Sequence, residues 1–138
     1  MKRTIKLKSC GDIRSEYESA GAILPGSLVE VNSANKVVVN SKDSGRVPAM
    51  FALEDELQGK TIRDAYAVDE PVQVIFAQPG DEVLALIDSA FDPAIGALLR
   101  ANSGGELQAT ASGVAQFQVT DVKFVDDAGN HRLPVRVI

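Results

Sequence analysis

Residues 72–87 read VQVIFAQPGDEVLALI, two runs of β-branched, aromatic and aliphatic residues separated by a polar turn sequence. Val, Ile and Phe favour strands, and the Pro79-Gly80 pair is a strong turn signal. The runs 72–77 and 82–87 therefore predict two strands. Because the four residues 78–81 separate them, we expect the two strands to pair as a β-hairpin.

The same pattern of short apolar runs and turn clusters recurs on both sides of this segment. Upstream, residues 27–31 and 36–40 flank a turn cluster and predict a second hairpin. Downstream, residues 97–101 and 106–110 flank Asn102-Ser103-Gly104-Gly105 and predict a third. Further strands are predicted at residues 50–53, 115–119, 122–125 and 133–138, and Gly59 limits residues 54–66 to one helical turn at most.

Many short strands joined by Gly, Pro and Asn turns, with no long helical pattern, predict an all-β protein. We expect a compact β-barrel or a jelly-roll-like sandwich of short antiparallel strands, since both give the same strand spacing. Residues 1–21 become polar after a weak alternation and are expected to form an extended N-terminal arm with little core. Residues 22–138 are expected to form a single β domain.

Charge is distributed unevenly along the chain, whose formal net charge is −5. Residues 54–92 hold ten acidic and two basic side chains, whereas residues 1–53 hold five acidic and eight basic ones. Binding to phosphates needs clustered cations, so this acidic centre argues against direct contact with nucleic acid. Apolar stretches are far shorter than a membrane span, and we expect no membrane partner.

The sequence offers little equipment for catalysis. Its one histidine, His131, and its one cysteine, Cys10, supply too few soft ligands for a zinc site. The acidic residues between positions 54 and 64 lack the alternating spacing of a calcium loop, and no phosphate loop or nucleophile motif is present. We therefore expect no enzymatic activity, no catalytic or metal-binding residues and no cofactor.

A longer run of distinctive sequence occupies the centre of the chain. It reads PAMFALEDELQGK over residues 48–60 and IRDAY over residues 62–66. It continues through VQV at residues 72–74 into FAQPGDEV at residues 76–83. This block resembles the decoration (cement) proteins that brace the heads of tailed bacteriophages, and the resemblance extends over roughly residues 22–110.

The resemblance implies a structural virion protein that binds the outer surface of an assembled capsid and stabilises it by bridging neighbouring capsomers. Its partners would then be the major capsid protein and further copies of itself, as a homotrimer with a dimer as the alternative. The protein would be made in the host cytoplasm and located on the outside of the virion. We expect the surface that faces the capsid to be flat and to contain no pocket.

Two surfaces are expected to contact the capsid. One is the N-terminal arm, whose cations and apolar side chains could order on a neighbour as an added strand. The other is the acidic turn 54–64, which could meet a basic partner. The expected contact residues are Lys2, Arg3, Ile5, Leu7, Ile13, Glu54, Asp55, Glu56, Lys60, Arg63 and Asp64.

Two other classes of function remain open at this point. A carbohydrate- or other ligand-binding β module of a virion or cell-surface protein would display an exposed aromatic platform. An enzyme that works through a pair of carboxylates would hold two acids with displaced pKa values in a concave pocket. The three classes differ in the surface that each requires, so the structure bears on the choice between them.

Overall fold

The computed structural model describes residues 3–9, 13–43, 45–110 and 114–138, which form an all-β fold. No helix within these ranges is long and apolar enough to cross a membrane. The strands are β1 (Lys6–Lys8), β2 (Arg14–Glu18), β3 (Val29–Val31), β4 (Val37–Val39), β5 (Met50–Ala52), β6 (Pro71–Phe76), β7 (Glu82–Leu86), β8 (Leu98–Ala101), β9 (Leu107–Ala109), β10 (Phe117–Val119), β11 (Phe124–Val125) and β12 (His131–Val137), and a short 3₁₀ helix spans Glu56–Gln58.

The strands form two sheets and a separate hairpin, with antiparallel pairing throughout the named strands. A 7-stranded sheet has the order β1-β7-β12-β10-β8-β9, and β11 pairs with β12 beside this path. A 3-stranded sheet has the order β2-β6-β5, and β3 pairs with β4. A single bridge joins Ile87 to Leu107, but no continuous ladder in the described residues closes the larger sheet. The fold is therefore sandwich-like and is not a closed barrel.

The 3-stranded sheet lies between two hydrophobic clusters, because successive residues of a strand point to opposite faces. Phe51 and Ile75 belong to the first cluster, whereas Met50 and Val74 belong to the second. The first cluster is shared with the 7-stranded sheet, where the rings of Phe51 and Phe117 meet edge to face with centroids 5.7 Å apart. Apolar residues of β3 and β4 contribute to the second cluster. The core thus holds three layers together.

The predicted hairpins have different outcomes. Those formed by β3 with β4 and by β8 with β9 are confirmed. The hairpin predicted over residues 72–87 is wrong, since β6 pairs with β2 and β5 while β7 pairs with β1 and β12. At the intervening turn, Ala77 N donates to Ala49 O at 2.9 Å and Gly80 N donates to Val137 O at 2.8 Å. The turn therefore carries the chain from one sheet to the other.

The segment predicted as an N-terminal arm is extended, but two of its stretches, β1 and β2, belong to the sheets. β1 pairs with β7, and β2 pairs with β6 along its whole length. Ile5 is completely buried, and Leu7 packs against the same hydrophobic cluster. The expectation that residues 1–21 contribute little to the core is wrong, because the alternation of Ile5 and Leu7 turns both side chains toward it.

A buried arginine joins three separated segments of the chain. Arg132 is completely buried. Its Nε donates to Asp126 Oδ2 at 2.9 Å, its Nη1 to Pro25 O at 2.7 Å and its Nη2 to Ile62 O at 2.6 Å. A buried charge is tolerated when it is paired and hydrogen-bonded, and here all three nitrogens have partners. Arg132 thereby fixes the backbone beneath the surface that carries most of the predicted contact residues.

Candidate functional site

Residues 54–63, which follow β5, form a ridge with a cleft on each side. The 3₁₀ helix Glu56–Gln58 lies in the middle of the ridge, and Gly59 ends it in the left-handed region at a φ of 71°. Glycine adopts that conformation without strain. Ile62 is buried in the core, and its carbonyl accepts a hydrogen bond from Arg132. The ridge is therefore anchored at its far end while its middle is exposed.

Cleft 1 has a volume of about 400 Å³ and lies between the ridge, the first described residues and the turn after β11. Its charged lining residues are Arg3, Glu54, Glu56, Lys60, Arg63, Asp126 and Asp127. Glu54 fixes one wall, because its Oε2 accepts a hydrogen bond from Ile5 N at 3.0 Å. Arg63 crosses to the opposite wall, where its Nη1 lies 3.3 Å from Asp127 Oδ2. Both signs of charge thus line this cleft.

Cleft 2 lies on the other side of the ridge and has a volume of about 410 Å³. Three carboxylates, those of Glu16, Asp55 and Glu70, line it together with one cation, Lys60. Lys60 Nζ lies 3.9 Å from Glu70 Oε2, and Lys60 also lines cleft 1. Cleft 2 therefore has an excess of two acidic over basic side chains, against an excess of one for cleft 1.

Leu57, on the ridge at the wall of cleft 2, is 84 % exposed. It is the most exposed large apolar side chain among the described residues. Scattered apolar residues are normal on a protein surface and need no explanation by themselves. Leu57 differs in its position, because an apolar centre with a charged rim is the composition of a protein–protein interface. In the sequence, Leu57 is a single leucine inside an acidic turn. A prediction based on charge does not single it out.

Six of the predicted contact residues lie together on the ridge and in the clefts. They are Arg3, Glu54, Asp55, Glu56, Lys60 and Arg63. Asp64 lies just beyond the ridge, and its Oδ2 accepts a hydrogen bond from Thr61 N at 2.7 Å. The backbone amide of Thr61 holds the pKa of Asp64 below its ordinary value. This carboxylate therefore serves the local turn.

The remaining predicted contact residues are dispersed. Ile5 lies in the core and cannot present its side chain to a partner, so that part of the expectation is wrong. Leu7 is partly buried against the same cluster. Ile13 is 55 % exposed just before β2 and is not among the residues that line clefts 1 and 2. Lys2 lies outside the described residues, and so does Cys10, which was not a predicted contact residue.

The described surface contains clefts, and the expectation that the face toward the capsid is flat and without a pocket stays a prediction. In addition to clefts 1 and 2, a shallower cleft 3 of about 290 Å³ lies where the end of β7 meets the β8–β9 hairpin. Within the described ranges, no group of three or more His, Cys, Asp or Glu side chains is arranged to hold a metal ion. The three clefts therefore differ in the residues that line them, and none of them contains such a group among the described residues.

Comparison with known proteins gives no assignment. No protein-family model matches the chain, and no curated protein is significantly similar to it.

Proposed function

We propose that this chain is a non-enzymatic structural virion protein of the decoration class. It binds the outer surface of an assembled phage capsid and stabilises the capsid by bridging neighbouring capsomers. The exposed surface of the ridge is the observation that supports this proposal. Within the block that resembles decoration proteins, residues 54–63 line two charged clefts and present the exposed Leu57 at the wall of cleft 2.

The ridge defines the chemistry of the partner surface. Its apolar centre, Leu57, requires a recess that excludes water, since a few well-packed residues supply most of the binding energy of an interface. The carboxylates of cleft 2 require cations around that recess, because complementary charge steers association and disfavours wrong partners. The partner on the major capsid protein is therefore a basic surface with a small apolar depression.

The stabilising effect follows from linkage. A protein that binds the assembled capsid and not the separated subunits adds its binding free energy to the cost of separating them. Assembly into a homotrimer, or a dimer, makes the second and later contacts intramolecular and raises their effective concentration. Modest contacts at each ridge are then sufficient for stable attachment.

Co-sedimentation of the purified protein with phage heads that lack it tests the proposal. We expect saturable binding at a fixed number of copies per capsid subunit, and no binding to unassembled subunits. Heads that carry the protein should also withstand a higher temperature before they release DNA. Absence of binding to mature heads would rule out the decoration role.

A matched pair of variants tests the ridge itself. Leu57→Ser removes the apolar centre, and we expect it to weaken binding to heads by about tenfold or more, as truncation of an interface anchor does. Ile95→Ser makes the same kind of change at a residue that is 62 % exposed in the loop before β8. The Ile95 variant should bind as the unchanged protein does. Equal affinity of the two variants would exclude the ridge as the contact surface.

A further inference from the structure

Cleft 3 combines an apolar wall with hydrogen-bonding groups, and it is separate from the ridge. Its lining contains Phe91 and Leu107 on the apolar side and Asp88, Asn102 and Gln108 on the polar side. Phe91 is only partly buried, and the buried part of its side chain packs against the main hydrophobic cluster. The cleft therefore presents part of an aromatic ring beside carboxylate and amide groups.

The polar side chains of cleft 3 are held in place by the backbone. Asp88 Oδ1 accepts a hydrogen bond from Ala90 N at 2.9 Å. Asn102 Oδ1 accepts from Gly104 N at 2.9 Å and from Glu106 N at 3.1 Å. Such local bonds fix the rotamers before a ligand arrives, and this lowers the entropy that binding would cost.

Two of these side chains retain hydrogen-bonding capacity. Gln108 donates through Nε2 to Ala101 O at 2.9 Å, and among the described residues its Oε1 accepts no hydrogen bond. In the same part of the chain, Asp88 Oδ2 also accepts none, since both hydrogen bonds to Asp88 reach Oδ1. Two side chains that line one small cleft can therefore accept hydrogen bonds from a ligand with several donors.

The turn that carries Phe91 is held by Lys123, which lies just before β11. Lys123 Nζ donates to Ser89 O at 2.8 Å and to Phe91 O at 3.0 Å. The bridge between Ile87 and Leu107 brings the two walls of the cleft together. Binding sites of small ligands are usually preformed in this way, with an apolar lining and a few well-placed polar groups.

We propose that cleft 3 binds one ring of a saccharide, with its hydroxyl groups donating to Asp88 and Gln108 and its C–H face against Phe91. A sugar ring matches both walls, because it carries several hydroxyl donors around its edge and an apolar face. The volume of about 290 Å³ lies just below the range for drug-sized ligands and suits a single ring.

The environment of Glu106, next to this cleft, agrees with the assignment. Burial raises the pKa of Glu106, and the negative charge of Asp88 raises it further. Acceptor oxygens are thus crowded on the polar side of the cleft, which favours a neutral ligand rich in donors over an anion. The inference does not depend on the decoration role, because it concerns the free protein and a different surface.

Titration of the ¹⁵N-labelled protein with methyl glycosides of glucose, galactose, mannose and N-acetylglucosamine tests the proposal. We expect at least one glycoside to shift the amide signals of residues 88–91 and 102–108 saturably, with a dissociation constant of roughly 1–10 mM, as befits a single small ring. No shift with any of the four up to about 50 mM would overturn the proposal, since a site of this affinity would then be mostly occupied. Shifts with butylammonium but with no glycoside would overturn it in favour of a cation site.

Substitutions test whether the side chains of cleft 3, and not other residues of the sheet, bind the saccharide. Asp88→Asn keeps the acceptor for Ala90 N but replaces a free acceptor, and Gln108→Met removes the amide; each should weaken binding by about fivefold or more, the loss expected for one hydrogen bond. Gln118→Met is the matched control, because Gln118 is also half-buried on this sheet and donates to Gly96 O at 3.4 Å. It should leave binding unchanged. Equal binding by the Gln108 and Gln118 variants would overturn the assignment.

Discussion

At the scale of single residues, Gly26 and Gly80 show how the surroundings decide the cost of a side chain. Their φ angles are nearly the same, 94° and 96°. A Cβ added at Gly26 would lie 2.6 Å from Arg132 Nη1 and 3.0 Å from Leu84 O, whereas one added at Gly80 would meet nothing within 4 Å. Backbone strain is therefore common to both positions, and crowding is confined to Gly26.

We predict that Gly80→Ala lowers the free energy of unfolding by about 1 kcal/mol, the cost of the left-handed backbone for a residue with a Cβ. Gly26→Ala should lower it by about 3 kcal/mol or more, because overpacking against the buried guanidinium of Arg132 adds to the same strain. Urea unfolding followed by circular dichroism measures both values. Equal losses would contradict the role of crowding.

The buried pair Asp126–Arg132 leads to a second prediction. Asp126→Asn leaves the charge of Arg132 buried without its partner, and we expect a loss of about 3–5 kcal/mol in the free energy of unfolding. Arg132→Met in the same chain removes that charge, so the double variant should lose less than the sum of the single losses. Strict additivity in this double-mutant cycle would contradict the coupling.

The pH dependence of stability gives a control for this pair. Burial acts to raise the pKa of Asp126, but hydrogen bonds from Arg132, Asn130 and Ala128 outweigh it and hold the pKa below the ordinary value of 3.8. A group whose folded pKa is depressed stabilises the fold above its unfolded pKa and loses that contribution as pH falls through the folded pKa. The unchanged protein should therefore lose stability more steeply than Asp126→Asn below about pH 3.8.

At the scale of elements, the first strand is a structural part of the domain. Ile5, just before β1, is completely buried, whereas Ile13, just before β2, is 55 % exposed. We predict that Ile5→Ala lowers the free energy of unfolding by about 2–4 kcal/mol, the range for a buried aliphatic side chain. Ile13→Ala should change it by less than about 0.5 kcal/mol. Chemical denaturation measures both, and a negligible effect at Ile5 would contradict the assignment of β1 to the core.

Sequence patterns locate the strands of this fold better than their partners. Apolar runs and turn residues predict most strand positions, since these depend on neighbours along the chain. Pairing depends on contacts between distant segments, and the turn 78–81 therefore looks like a hairpin although it connects two sheets. β2 escaped prediction because only Ser15 and Tyr17 of its five residues are even partly buried. Its alternation is too polar to indicate a strand.

The distinction between local sequence and contacts of distant segments also applies to the ridge and the clefts. The acidic sequence between residues 54 and 64 predicts an exposed charged turn, and the ridge stands there. Asp126 and Asp127 join cleft 1 through tertiary contacts, since Arg132 bonds both Asp126 and the Ile62 carbonyl and Asp127 pairs with Arg63. Cleft 3 likewise assembles residues from the end of β7 and from β9, which no local pattern brings together. A site that is formed by tertiary contacts can be recognised only in the structure.

At the scale of the whole molecule, β12 holds the larger sheet together. It lies between β7 and β10, pairs with both and also pairs with β11. Its residues Leu133, Val135 and Val137 are buried in the main cluster. Removal of this strand would therefore leave three strands without a partner on one edge and would open the core between the two sheets.

We predict that a chain lacking residues 131–138 does not fold, because the loss of three buried side chains and of a central strand exceeds the stability of a typical domain. Its amide proton spectrum should be narrow and its urea titration should show no cooperative transition. A chain lacking only Ile138, which is 38 % exposed, is the control. That chain loses two backbone hydrogen-bonding groups, the amide that donates to Gln116 O and the carbonyl that accepts from Arg46, and should stay folded with a loss of about 1–2 kcal/mol. Native-like dispersion in the longer truncation would show that the two sheets form without their central strand.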